Sequence, residues 1–236
     1  MSTLAEITFG VINTINPKQI SGSSITKELV AFHVKNVRAQ LAKQAIGKYG
    51  TLESEYIQSL GCINLVLADK SECCEYPTEC LILRTEVKIP QTLTGKTSLL
   101  TRVGPVNLTE SSFQHIEFER VPFEGLNKYT RSLTKWFKTD FNNYLYILVN
   151  EADYIKNGLE VINVRGAFAD PEDCSDFITC STNETCFSFD SEYPVPDSMI
   201  PIIQDMVIKN FIGIQFKQPI DSTNDSLNNP EITINK

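Results

Sequence analysis

The chain has 236 residues, 42% apolar and 21% charged, enough to bury a sizeable core in one large domain or two small ones. Its 29 acidic and 21 basic residues leave a formal net charge of -8, which excludes gripping phosphate backbones with the surface as a whole, though a local basic patch stays open. No stretch approaches the roughly 20 apolar residues a membrane-spanning helix needs, and residues 1–20 lack the basic and apolar regions of a signal peptide, so the chain is expected to be made and used in a cytosol.

Residues 1–23 are rich in Thr, Ser, Asn and Gly, with scattered apolar positions, and read as an extended arm. A helix follows, capped by Ser23 or Ser24. Val30, Val34, Val37, Leu41 and Ala45 recur at spacings of three and four, one stripe at helical period. Arg38, Gln40, Lys43 and Gln44 fall mostly off that stripe, and the helix should end near Gly47, with Gly50 closing the turn. A short second helix is expected over 52–60.

From Gly61 the pattern becomes that of strands. Residues 62–67, 80–84, 116–121, 144–149 and 159–166 have suitable lengths and Val, Ile, Tyr and Phe content, and Val87–Ile89 is extended up to Pro90. Asn157-Gly158 fits a tight hairpin turn after Tyr154-Ile155. Leu126 to Phe137 reads as either a short helix or a loop.

Pro194 and Pro196 then break the chain. Met199, Ile202, Ile203, Met206, Val207 and Phe211 follow at helical spacing, with Pro201 either in the first turn or at a kink, and Gly213 as a stop. Residues 218–236 cannot build a core. They read as a second arm, whose Ile220, Leu227, Ile232 and Ile234 can dock on a neighbouring subunit, or as a plain disordered tail.

These segments predict an α+β fold, a helical bundle with a β-rich insertion and extended N- and C-terminal arms. The arms are 1–23 and 218–236. The intervening 24–217 is a helical core, from 24–60 and 196–213, holding a β-rich region over 61–195.

Chemistry-bearing residues are sparse. A Ser-His-Asp or Cys-His arrangement needs His33 or His115, the only two histidines, and nothing around either marks a base. Gly95-Lys96-Thr97 resembles the end of a phosphate loop, but the first glycine of that loop falls at Pro90, which has no N–H to offer. The Asp170-Pro171-Glu172-Asp173 and Glu151-Ala152-Asp153 runs look like solvated loop charge. An acidic hydrolase is the only enzyme the composition allows, and no acid/base pair is placed for it. The seven cysteines, Cys62, Cys73, Cys74, Cys80, Cys174, Cys180 and Cys186, are odd in number and are expected as reduced thiols. Their spacings make no proper zinc knuckle. A site from Cys73 or Cys74, Cys80, Cys174 and Cys180 would require the two clusters to meet, and the competing reading is of small buried hydrophobes. No catalytic, cofactor-binding or metal-binding residue is assigned. A zinc-stabilised cytosolic adaptor or binding protein is the alternative function.

Several segments together resemble one family. In order they are Lys27-Glu28-Leu29-Val30 with Val37-Arg38-Ala39-Gln40-Leu41, Gln58-Ser59-Leu60-Gly61-Cys62, Ala68-Asp69-Lys70-Ser71-Glu72-Cys73-Cys74, Cys80-Leu81-Ile82-Leu83-Arg84-Thr85, Lys88-Ile89-Pro90, Ile162-Asn163-Val164-Arg165-Gly166-Ala167-Phe168 with Asp170-Pro171, Tyr193-Pro194-Val195-Pro196 and Met199-Ile200-Pro201. This order, spanning roughly 25–212, resembles the head-to-tail connector or tail ring structural proteins of crAss-like podoviruses. The resemblance implies a non-enzymatic virion protein, assembled in the host bacterial cytoplasm. It implies a twelve-fold ring of the chain with itself, connecting portal and tail. Its partners would be the portal protein and adjacent tail ring and tail proteins, with genomic DNA passing through the channel without specific binding, and no membrane.

Overall fold

A computed structural model describes residues 2–15, 25–68, 81–93, 99–126, 133–138, 142–149 and 159–212. The expected arm at the N-terminus is instead helix α1, Leu4–Ile15. Leu4, Ile7, Thr8, Val11 and Ile15 are buried along one face, the stripe that a period of 3.6 produces. Its start is a reciprocal cap. The Glu6 N–H donates to the Thr3 hydroxyl at 3.1 Å and the Thr3 N–H to the Glu6 carboxylate at 3.0 Å, so two end donors are satisfied at once.

Helix α2 runs Lys27–Tyr49, capped by Thr26 rather than Ser23 or Ser24. The Leu29 N–H donates to the Thr26 hydroxyl, and Gly50 at φ 73° closes the far end. The helix therefore passes through Gly47. Its buried face holds Val30, Val34 and Val37 as expected, together with Ala31, Ala42 and, against expectation, Arg38.

The second helix expected over 52–60 is only a 3-10 turn, Ser54–Tyr56. Strand β1 already begins at Gln58 and runs to Leu67. The other strands are β2 (Leu81–Thr85), β3 (Leu100–Pro105), β4 (Gln114–His115), β5 (Lys135–Lys138), β6 (Leu145–Val149) and β7 (Val161–Gly166). Strand β3 was not anticipated. Residues 116–121, expected as a strand, lie mostly in a 3-10 segment, Phe118–Leu126. Within 126–137 the described part ends in strand β5. The turn expected at Asn157-Gly158, the Gly95-Lys96-Thr97 run, the Glu151–Asp153 acids, the Gly213 stop and the 218–236 arm lie outside the described residues.

The strands form one mixed sheet in the order β3-β7-β1-β2-β6-β5-β4, antiparallel except for β4 beside β5. Strand β1 joins its two halves. Residues 58–64 pair with β7, and residues 65–67 pair with β2. The register with β7 shifts between Ser59 and Cys62, where Gly61 sits at φ 64°. A Cβ on Gly61 would clash with the Ile178 carbonyl oxygen, so only glycine lets the 178–180 segment lie against this bulge.

The last helical segment begins with a 3-10 turn, Asp197–Met199, followed by α3, Ile200–Met206, with Pro201 in its first turn. A π-helical stretch, Val207–Ile212, continues it. The three helices pack on one another, and one apolar core runs from them into the sheet through Leu4, Val34, Leu60, Val164 and Val207. A smaller cluster of Ile116, Val121, Phe137, Tyr146 and Leu148 covers the opposite face of β5 and β6. Strand β6 is thus buried on both faces, which is why its sequence, Leu145-Tyr146-Ile147-Leu148-Val149, is an unbroken apolar run. The fold is α+β.

Candidate assembly surface

The Arg38 side chain leaves α2 for the interior and is fully buried. Its Nε donates to the Pro194 carbonyl and one terminal nitrogen to the Phe168 carbonyl, both at 2.9 Å, and the other reaches the Tyr56 carbonyl at 3.4 Å. The rings of Tyr56 and Tyr193 flank it, with centroids 5.7 and 5.9 Å away. Burial lowers its pKa while the two tyrosines oppose that. A guanidinium stays ionised throughout, so one buried cation ties three distant chain segments to α2.

One turn earlier, Lys35 donates to Asp170 at 2.9 Å and Glu172 at 2.8 Å. Burial pulls the Lys35 pKa down, but the hydrogen bonds and charges of the two acids outweigh it and leave the pKa raised. Asp170 also accepts the Glu172 N–H, capping a 3-10 turn at Pro171–Asp176. The acids read as solvated loop charge therefore hold the 168–176 loop against α2.

A hollow runs along the flank of α2 and past Lys35. One part, about 420 Å³, is lined by Lys27, Ala31, Phe32, Glu172 and Phe189. The next, about 320 Å³, shares Phe32 and Lys35 and is walled by Gln91–Leu93 and Ala169–Asp173. A third continues over Asn36, Ala39, Gln40, Lys43 and Gln44. Phe32, 54% exposed, stands between the first two. Phe9, Leu67, Phe123 and Ile202 are exposed as well, but single exposed apolar side chains are ordinary. Of these, Phe32 alone lines the hollow.

His33 lies on α2, edge-on to Phe32 with centroids 5.5 Å apart, and burial lowers its pKa. His115 lies at the sheet edge against Trp136 at 4.3 Å, its pKa lowered by burial against the opposing charge of Glu117. Among the described residues no three His, Cys, Asp or Glu side chains are grouped to hold a metal ion.

The expectation of reduced thiols fails at one pair, since Cys62 and Cys180 form a disulfide, with Cα atoms 5.0 Å apart. The 178–180 segment that Gly61 admits brings Cys180 to the bulge. Pairing removes Cys180 from the four-cysteine set drawn from the sequence. Cys174 is a buried free thiol whose pKa burial pushes up to about 12. Cys73, Cys74 and Cys80 lie outside the described residues.

Sequence reasoning missed Arg38 and α1. The Thr3-x-x-Glu6 cap ahead of an apolar stripe was the available signal for α1. For Arg38 there was none beyond its place next to Val37.

A model of the phage tail ring protein 2 family matches residues 6–230. The chain belongs to this family. A tail ring protein is a virion component, and the family narrows the resemblance read from the sequence to one kind of ring. Ring protein 2 of Bacteroides phage crAss001 is 27% identical over 209 residues, covering 86% of this chain and 88% of that protein. Among the described residues of this tail ring protein, no helix is long and apolar enough to cross a membrane.

Proposed function

We propose that this tail ring protein assembles with itself into a closed, twelve-fold ring that connects the portal to the tail of a crAss-like podovirus and lets DNA pass through without specific binding. The family match over 6–230 carries this reading. The body suits the role. Helices and sheet share one core, and Arg38 and Lys35 pin the long connections to α2, so a subunit can present fixed surfaces to its neighbours. A contact between two different faces, repeated about a closed rotation, makes a ring. An acidic wall would repel a duplex rather than hold it. The protein works by shape and carries no catalysis. Its helical core, extended by α1, is the body of the ring, the β-rich region is an insertion in that body, and 218–236 is an arm that reaches a neighbouring subunit. Assembly takes place in the host cytoplasm.

Mass photometry of the purified chain, alone and then with the portal of the same phage, tests this. A species near twelve subunits is expected, alone or only with portal. A monomer or dimer that ignores the portal rules out the portal-adjacent position.

A further inference from the structure

The hollow beside α2 has an occupant of suitable shape in the chain itself. We propose that it receives the C-terminal segment 218–236 of a neighbouring copy, which deepens, and rests on, the ring reading above.

The hollow is open along Lys27 to Gln44. The seventeen helical rises from Lys27 to Gln44 span about 26 Å at 1.5 Å each, a length that suits an extended peptide better than a compact ligand. Its chemistry is mixed. Phe32 and Ala39 give apolar floor; Phe32 is exposed, and Ala39 is half-buried against the core. Lys35 is neutralised by Asp170 and Glu172, and Lys27 lies over the Phe189 ring at 4.2 Å. Lys43, exposed at the far end, has no ion pair among the described residues. The hollow therefore offers an apolar step at Phe32 and, eleven residues further along α2 and about 16 Å away at helical rise, the Lys43 cation, with Asp173 lining the same part of the hollow.

The segment after Ile212 matches both. Twenty-four residues follow Ile212, and the family match continues through most of them, to residue 230. They contain Asp221, Asp225 and Leu227. On an extended course these three fall on one face, because side chains alternate. Asp221 and Leu227 are then about 20 Å apart at 3.3 Å per residue, within side-chain reach of the Lys43 to Phe32 spacing. Leu227 beside Phe32 and Asp221 near Lys43 bury an apolar pair and neutralise the cation. Each copy has one hollow and one such segment, so a contact from copy to copy is heterologous and can close a ring.

The probe is a fluorescent peptide of residues 218–236, titrated into the purified full-length chain and read by anisotropy. Saturable binding is expected. Phe32→Asp should weaken it by about tenfold or more. Lys43→Glu should weaken it less and reduce its dependence on salt. Both sites are at the surface, and an unchanged thermal melt shows that each variant folds. Refusal of the peptide by the wild-type chain overturns the proposal, whether the hollow is empty or closed by the chain's own tail. Equal binding by a folded Phe32→Asp variant overturns it too. The titration is made on the monomeric fraction, in which no neighbour's segment fills the hollow, so its failure leaves the ring count standing, and a failed ring count leaves the titration standing.

Discussion

At the residue scale, the interior of α2 holds the most consequential side chain. Replacing Arg38 by Leu strands the Phe168 and Pro194 carbonyls in a buried site, and each unsatisfied polar group costs about 1–3 kcal/mol. We expect Arg38→Leu to lose about 3–5 kcal/mol in urea denaturation. The Tyr193 hydroxyl, buried nearby, has no hydrogen-bond partner among the described residues, and burial raises its pKa, with Arg38 opposing. Tyr193→Phe should therefore stabilise the chain, by about 1 kcal/mol, because it removes a buried hydroxyl that bonds to nothing. The contrast separates a bonded buried group from one that is only packed. The Cys174 thiol, with its pKa pushed to about 12 and its side chain buried, should resist alkylation at pH 8 in the native chain and react only after unfolding, as peptide mass mapping would show. Lys35 has a folded pKa above its unfolded value. Its ion pairs add stability in full below the unfolded pKa, and that contribution fades as pH rises through the folded one.

At the element scale, α1 and the β1 bulge are each held by local chemistry that can be removed singly. Thr3→Ala deletes half of the reciprocal cap and should cost about 1 kcal/mol, measurable in a chemical melt. The bulge is less forgiving. Gly61→Ala meets both a left-handed backbone and the Ile178 carbonyl, so a loss of more than about 1 kcal/mol is expected. The disulfide joins residues 118 apart in sequence. A Cys62→Ser, Cys180→Ser double variant should lose about 2–5 kcal/mol relative to the oxidised chain, and a reducing agent should lower the wild-type melt towards that of the variant. An unchanged melt under reduction would show that Gly61 and the Cys62 N–H bond to the Ile178 carbonyl, at 3.1 Å, hold the segment unaided.

For the whole molecule, the core that joins helices to sheet makes the β-rich region part of the same body as α1, α2 and α3. Deleting residues 1–15 would uncover the apolar residues that contact Leu4, Ile7, Val11 and Ile15. At roughly 1.5–3 kcal/mol for each buried side chain, this is comparable to the whole stability of an ordinary domain, so the truncated chain should aggregate rather than persist as a monomer in size-exclusion chromatography. That outcome would also set residues 4–15 firmly in the body and not among the arms.

The periodicity of the sequence determined α2, β2, β6 and β7, because each carries an apolar pattern of one period, while it left Pro201 either in the first turn of the last helix or at a kink. The order of its motifs pointed to a tail ring protein of crAss-like phages. Other features depended on contacts distant in sequence. Residues 1–15 are poor in charge and look like a tail until the Thr3 cap and the face laid on α2 and α3 are seen together. Arg38 reads as a surface residue because its partners are carbonyls, which leave no mark in side-chain sequence. Cys62 and Cys180 are 118 positions apart, and only the close approach of the 178–180 segment to the glycine bulge makes them a pair. Local patterns decide which elements form, while the burial of a charge or the meeting of two thiols is decided by which elements pack together.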